Sequence, residues 1–132
     1  MSNIDPLDAL LTKATIVDGE HRALLAKLLT PHVRLDPDTG KIYFTQHPPK
    51  LNTKQQVLVY LLARLALAQK NPNYTTVATT KDVEEGTGLP GGTVRPKLSE
   101  LLKERIISKT EAGYLIEVTN LLRANSLLEE TL

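Results

Sequence analysis

The stretch of sequence that decides the fold is residues 92–107, which read GTVRPKLSELLKERII. Its apolar residues recur at spacings of four, three and one, the period of a helix with one buried stripe. They are Val94, Leu98, Leu101 and Leu102. Proline lacks the N–H group that an interior helical residue donates, so Pro96 predicts a helix start close by. We therefore expect a helix with Thr93 as its N-cap and Pro96 in its first turn.

The segments before this helix predict two more helices with a short strand between them. Apolar residues at helical spacing run from Thr53, a predicted N-cap, to the proline at position 72. Residues 74–78 are rich in Thr and Val and predict a strand. A short helix is predicted over residues 81–85, capped by the two preceding threonines and ended by Gly86 and the glycine two positions later.

The two ends of the chain predict further helices and two hairpins. Near the N-terminus, two short helices broken at Asp18-Gly19 precede a hairpin around a turn at residues 36–40. After the quoted stretch, a strand, turn and strand are predicted over residues 106–118 and a last helix over residues 120–130. The expected organisation is an N-terminal helical and hairpin extension, a central domain and a C-terminal helix, over residues 1–49, 50–119 and 120–132.

The central segment resembles the winged helix-turn-helix superfamily of DNA-binding proteins. Its order is helix, short strand, short helix, glycine-containing turn, amphipathic helix and hairpin. Residues 92–107 are similar to the Gly-Thr-Leu-Tyr-Pro pattern of PadR-like regulators, with Pro96 as the most specific shared element. The resemblance covers roughly half of the chain. Two residues depart from the pattern: Arg95 stands where PadR-like proteins often have Tyr, and Arg105 stands where many winged helices have Gly. The resemblance implies a mainly α fold with a small β wing (α+β) and double-stranded DNA as partner.

The predicted recognition helix carries polar side chains that suit a DNA groove. Steps of about 100° per residue leave Ser99, Glu100 and Lys103 opposite the buried stripe. Arg95 and Lys97 lie at the flanks, where Arg95 is the predicted base contact and Lys97 the predicted phosphate contact. Glu100 either accepts a hydrogen bond from a cytosine amino group or opposes insertion. The candidate DNA contacts are Lys54, Lys81, Thr93, Arg95, Lys97, Ser99, Glu100, Lys103 and Lys109.

Composition limits the functional classes. Lys and Arg number 16 and Asp and Glu 15, a net charge of +1, so any DNA affinity must come from local arrangement. From Lys50 to Lys70 the chain has four basic and no acidic residues. The absence of Cys removes disulfides and thiolate chemistry, and His21, His32 and His47 lack metal-ligand spacing. We expect a non-enzymatic cytoplasmic protein without a cofactor, metal or membrane span.

Two functions from different classes remain open. The leading one is a small transcriptional regulator that binds DNA as a homodimer, because leucines at both ends, such as Leu10 and Leu122, add apolar surface. The terminal helices can instead pack on each other within one chain. The alternative function is a winged-helix protein-interaction module, favoured by the near-neutral charge, by Glu100 on the exposed face and by a hairpin turn that is not strongly basic.

Overall fold

Helices dominate the part of the chain that the structure, a computed structural model, describes: residues 14–45 and 51–129, together with Leu7. These residues form five α-helices and two separate two-stranded antiparallel sheets, and this confirms the mainly α, α+β prediction. The elements in chain order are α1 (Ala14–Leu29), β1 (Val33–Leu35), β2 (Ile42–Phe44), α2 (Thr53–Lys70), α3 (Thr80–Thr87), α4 (Gly91–Lys103), β3 (Ser108–Thr110), β4 (Gly113–Leu115) and α5 (Leu121–Leu128).

The long helix α2 lies at the centre of the fold and contacts α1, α3, α4 and α5. Its side chains Leu58, Leu61 and Leu62 have no solvent exposure. Each such side chain contributes roughly 1.5–3 kcal/mol relative to an exposed one. Leu25 of α1 and Val33 of β1 belong to the same hydrophobic core. The N-terminal elements therefore share one core with the rest of the described chain.

The first residue of α2 is fixed by a capping box. The side chain of Asn52 accepts a hydrogen bond from the N–H of Gln55, and the side chain of Gln55 accepts one from the N–H of Asn52. The N-cap is therefore Asn52, and the prediction of Thr53 is wrong by one residue. Gln55 also donates from Nε2 to the carbonyl of Leu127, 3.1 Å away, which links α2 to α5.

Helices α3 and α4 are joined by a turn of three residues, 88–90. Gly88 ends α3 in the left-handed conformation with φ 75°, where glycine is favoured. Helix α4 begins at Gly91 with Pro90 as its N-cap, so the predicted N-cap at Thr93 is wrong by three residues. The reason is that the Pro90 carbonyl accepts a hydrogen bond from the N–H of Thr93 at 2.9 Å, which places Thr93 inside the helix.

Because α4 starts early, Pro96 lies in its second turn and not in its first. Proline cannot donate the hydrogen bond that a residue at this position gives to the carbonyl four residues earlier, that of Gly92. Gly92 and Pro96 are both exposed, so water can solvate this carbonyl in place of the missing donor.

The hairpin of β3 and β4 confirms the predicted strand, turn and strand, with Ser108 opposite Leu115 in antiparallel register. The first strand begins later than predicted. Arg105 adopts a left-handed backbone conformation with φ 60° after α4, and Ile106 and Ile107 then enter the core. Arg105 thus has the conformation for which glycine is the favoured residue.

A single residue pair joins this hairpin to the segment before α3. Ala78 and Tyr114 exchange two backbone hydrogen bonds of 2.8 Å each. The predicted strand over residues 74–78 is otherwise wrong, because its backbone groups find other partners. Arg64 Nη2, for example, donates to the carbonyl of Val77 at 2.6 Å.

Helix α1 continues through Asp18 and Gly19, so the predicted break at this dipeptide is wrong. Glycine in an exposed helix interior costs about 1 kcal/mol, and the burial of Leu25 and Leu28 later in the helix offsets that cost. The predicted start of the first helix, at residue 5, lies outside the described residues. The hairpin that follows α1 is confirmed, with β1 and β2 antiparallel around the predicted turn.

Helix α5 confirms the predicted C-terminal helix over the described residues and contacts α1 and α2. Leu121 and Leu127 are buried, whereas Leu122 is 72% exposed. Helices α1 and α5 therefore pack on each other within one chain, and most of the apolar surface of α5 is already covered. The predicted N-terminal helix with Leu10 and Leu11 lies outside the described residues. Among the helices that the structure describes, none has the length and apolarity needed to cross a membrane.

Candidate nucleic-acid interface

The exposed face of α4 is the centre of the candidate interface. Val94, Leu98 and Leu101 on its other side have no solvent exposure, and the helix packs on α2 and α3. The residues that α4 presents to solvent are Gly92, Arg95, Pro96, Ser99, Glu100 and Lys103. The described N-terminal residues therefore leave this face open to a partner.

The N-terminus of α4 has an acidic neighbour. The unpaired N–H groups of a helix N-terminus attract anions, and the Pro90 N-cap forms no side-chain hydrogen bond there. Glu84 of α3 lies beside this end, since a Cβ atom on Gly91 would stand 3.1 Å from Glu84 Oε1. The carboxylate stabilises the helix start and reduces its attraction for a phosphate group.

Two of the predicted cations form ion pairs with carboxylates. Lys97 Nζ lies 3.3 Å from Glu100 Oε2, one turn along α4. Lys54, at the start of α2, pairs with Glu104 at the C-terminal end of α4. Partly exposed pairs of this kind contribute about 0–1 kcal/mol, so a phosphate can compete for either lysine.

Arg95 and Lys103 give the exposed face its net positive charge. Both side chains are exposed, and neither takes part in an ion pair with any residue that the structure describes. They lie eight residues apart, about 12 Å along the helix axis. Arg95 is near the helix N-terminus, and Lys103 is in the last turn. The two cations can therefore contact different parts of a long ligand.

The other candidate residues lie around α4 and not on it. Lys81 is exposed in the first turn of α3. Lys109 is exposed on β3, with its ammonium group 5.4 Å from the centre of the Tyr114 ring. Lys54 lies at the far end of α4, about 20 Å from its N-terminus. The hairpin turn carries the exposed Glu111, so the hairpin adds little positive charge.

The acid-free run that ends at Lys70 does not form one basic surface. Lys54 is ion-paired at the start of α2. Arg64, in the middle of the helix, is half-buried and donates to the carbonyl of Val77. Lys70 is exposed at the opposite end of α2 from Lys54. Lys50 lies outside the described residues.

Sequence reasoning missed two carboxylates that shape the interface, Glu84 and Glu104. From the sequence, Glu84 is expected only on the polar face of a short helix. Gly91 is the signal that could have located Glu84, because a helix start without a side chain at that residue leaves room for a neighbour. Glu104 pairs with a lysine 50 positions away, and no local pattern indicates such a contact.

The titratable groups with shifted pKa values lie away from α4. Burial lowers the pKa of His32, and hydrogen bonding by the N–H of Asp38 lowers the pKa of Asp36; both groups are near the β1–β2 hairpin. No group of three or more His, Cys, Asp or Glu side chains in the described part of the chain could hold a metal ion.

No protein-family model matches this chain, and neither a curated protein nor a solved structure matches it. Function is therefore inferred from the geometry around α4. That geometry combines an open helix face, the exposed cations Arg95 and Lys103, a short hairpin, and carboxylates that balance part of the positive charge.

Proposed function

We propose that residues 51–118 form a winged helix-turn-helix domain that binds double-stranded DNA with the exposed face of α4. The observation that carries the proposal is the succession of α3, a three-residue turn, α4 and a hairpin, with α4 open on its polar side. Helix-turn-helix proteins join two helices by about three or four residues and place the second in the major groove. Gly88 gives this turn its left-handed residue.

Five cations have a proposed role. Arg95, near the N-terminus of α4, donates two hydrogen bonds to a base edge, for which guanine is the usual acceptor. Lys97 and Lys103 bind phosphates on the two sides of the groove. Lys81 of α3 and Lys109 of the hairpin contact the DNA backbone farther out. Thr93, Ser99, Glu100 and Lys54 complete the proposed contact set.

The proposed biological role is that of a small cytoplasmic transcriptional regulator without enzymatic activity. A homodimer would present two copies of α4 to half-sites about 34–36 Å apart. Such a dimer would use the surface of the terminal helices that remains uncovered, and Leu122 lies on it. The elution volume of the purified protein, with and without a palindromic duplex, tests this part of the proposal.

The decisive experiment is a salt titration of binding to a labelled duplex, followed by fluorescence anisotropy. Four phosphate-binding cations predict that the logarithm of the affinity falls with the logarithm of salt concentration with a slope of about −4. The absence of binding to any duplex at low salt would overturn the proposal. Lys27→Ala, at an exposed lysine of α1, is the matched control and is expected to leave the slope unchanged.

Two variants separate base recognition from phosphate binding. Arg95→Ala is expected to relax base preference in a selection from random duplexes, at a cost of roughly 1–3 kcal/mol on the preferred site. Lys97→Ala is expected to weaken binding to all sequences alike. If both variants affect every sequence equally, Arg95 is a phosphate contact only.

A second candidate function, docking of another protein on the same face, is favoured by the carboxylates of Glu84 and Glu100 beside the cations. Protein interfaces match charges of both signs, whereas a duplex presents phosphates of one sign. Specific capture of a protein by wild type but not by Glu100→Lys, without salt-dependent duplex binding, would support this function.

A further inference from the structure

A groove separate from α4 lies between α1, β1 and the last turns of α2. It has a volume of about 540 Å³, within the range of small-molecule sites. Its floor is apolar, and the lining side chains there are Leu25, Leu29, Val33, Leu35 and Ala66. Leu25, Leu29 and Val33 are 3–5% exposed, so the floor is part of the folded core and is already formed without a ligand.

The rim of the groove is cationic and has no acidic residue. Arg22, Arg34 and Lys70 line it, and all three are exposed. Arg22 donates to the carbonyl of Gln69 at 3.2 Å, and Arg34 donates to the carbonyl of Thr30 at 2.6 Å. Neither ion pair among the residues that the structure describes includes any of these three cations. Each of the three cations is therefore available to an anion in the groove.

One of the lining side chains also has an unsatisfied polar atom. Gln69 lines it, and its Oε1 is buried without a hydrogen-bond partner among the described residues. A buried polar atom without a partner costs about 1–3 kcal/mol. A water molecule that donates to this oxygen would remove that cost, whereas an ionised carboxylate has no donor to offer it.

We propose that this groove binds a free medium-chain aliphatic carboxylate. The aliphatic chain lies on the leucine and valine floor, and the carboxylate contacts the cations of the rim. Charge decides between occupants, because a neutral apolar ligand would gain nothing from the rim and a cation would be repelled. The proposal does not rest on DNA binding, since none of the residues lining the groove belongs to α4.

The test compares three ligands with the same chain and different head groups: octanoate, octanol and octylammonium. Binding is followed by amide chemical shifts in two-dimensional NMR of the full chain. Octanoate is expected to shift amides of α1, β1 and the end of α2, and to bind roughly tenfold more tightly than octanol. Equal affinities for octanoate and octanol, or shifts centred elsewhere, would overturn the proposal.

Charge-reversal variants sharpen this comparison. Lys70→Glu and Arg22→Glu are each expected to weaken octanoate binding by roughly tenfold and to improve octylammonium binding. Lys27→Glu is the matched control, because this exposed lysine of α1 does not line the groove. The same loss in Lys27→Glu would show a general charge effect and contradict the proposal.

Two further arms exclude other occupants. Sedimentation velocity during the titration tests whether a second copy of the chain occupies the groove. If it does, the protein is a dimer in the absence of octanoate, and octanoate dissociates that dimer. Vesicles of phosphatidylglycerol test a membrane surface. Binding to the vesicles that is lost in Lys70→Glu, without binding of free octanoate, would overturn the proposal.

Discussion

The two faces of α4 are held by different forces. On the buried face, Val94, Leu98 and Leu101 have no solvent exposure and are surrounded by the core. On the exposed face, Lys97 and Glu100 form one ion pair 3.3 Å long, and Arg95 lies in solvent. Close packing makes each buried side chain depend on many neighbours, whereas an exposed charge depends on few. Substitutions on the first face should therefore change folding, and those on the second should change binding.

The largest effect is expected from Leu98→Ala. The substitution leaves a cavity in the core between α2 and α4, so the free energy of unfolding should fall by about 2–5 kcal/mol. Urea denaturation measures this loss. Ser99→Ala, at the next residue but on the exposed face, should change stability by about 0.5 kcal/mol or less. A similar loss of unfolding free energy in both variants would show that the two faces of α4 do not differ in their effect on folding.

Two glycines extend the comparison to backbone positions. A Cβ atom on Gly86 of α3 would stand 2.0 Å from Cε1 of the buried Tyr60 ring, so Gly86→Ala should destabilise the protein by about 1–3 kcal/mol. A Cβ atom on Gly92, on the exposed face of α4, meets no other atom within 4 Å. Gly92→Ala should therefore stabilise the protein, by up to about 1 kcal/mol. Thermal unfolding of both variants checks the opposite signs.

Glu100→Gln changes binding and leaves folding nearly unaltered. The substitution removes a negative charge from the exposed face and frees Lys97 from its ion pair. The affinity for a duplex at low salt should therefore rise several-fold, and this gain should shrink as the salt concentration increases. Fluorescence anisotropy with a labelled duplex measures the change. Glu20→Gln, at an exposed position of α1, is the control. A fall in affinity for one sequence only would identify Glu100 as a base contact.

The smallest effect is expected in the β1–β2 turn, where the polar contacts are exposed. Hydrogen bonds from the Asp38 N–H and the Thr39 hydroxyl lower the pKa of Asp36. Folding therefore favours the ionised form of Asp36. The stability that this carboxylate contributes is complete above the ordinary pKa of Asp and is lost as the pH falls through the lowered pKa. The difference in melting temperature between wild type and Asp36→Asn should shrink over that interval. A difference that stays constant with pH would contradict this.

Local patterns predicted the elements whose formation depends on nearby residues. The buried stripe of α4, the long helix α2 and both hairpins follow from apolar periods and turn residues. Distant contacts decide two of the errors, whereas the start of α4 is decided by a backbone hydrogen bond between residues three apart. The start of α4 depends on the Pro90 carbonyl. The absence of a strand before Ala78 depends on the side chain of Arg64, and the continuity of α1 depends on the packing of Leu25.

The charges of the candidate site were less predictable than the fold. The acid-free run before Lys70 is a property of sequence neighbours, but those of its cations that the structure describes lie at opposite ends and in the middle of an 18-residue helix. Lys54 pairs with Glu104, Arg64 bonds a backbone carbonyl, and Lys70 lines a groove. Which cations share a surface depends on how helices pack, and a linear count of charges does not contain that information.

The pairing of Ala78 with Tyr114 has a consequence for the residue that can stand at position 113. Among the described residues, this pair forms the β-bridge between the hairpin and the segment before α3, and a Cβ atom on Gly113 would stand 2.4 Å from the Ala78 carbonyl oxygen. Any side chain at position 113 would push the hairpin away from α3. Glycine at position 113, where φ is also 147°, is therefore what allows the hairpin to approach the segment before α3 this closely.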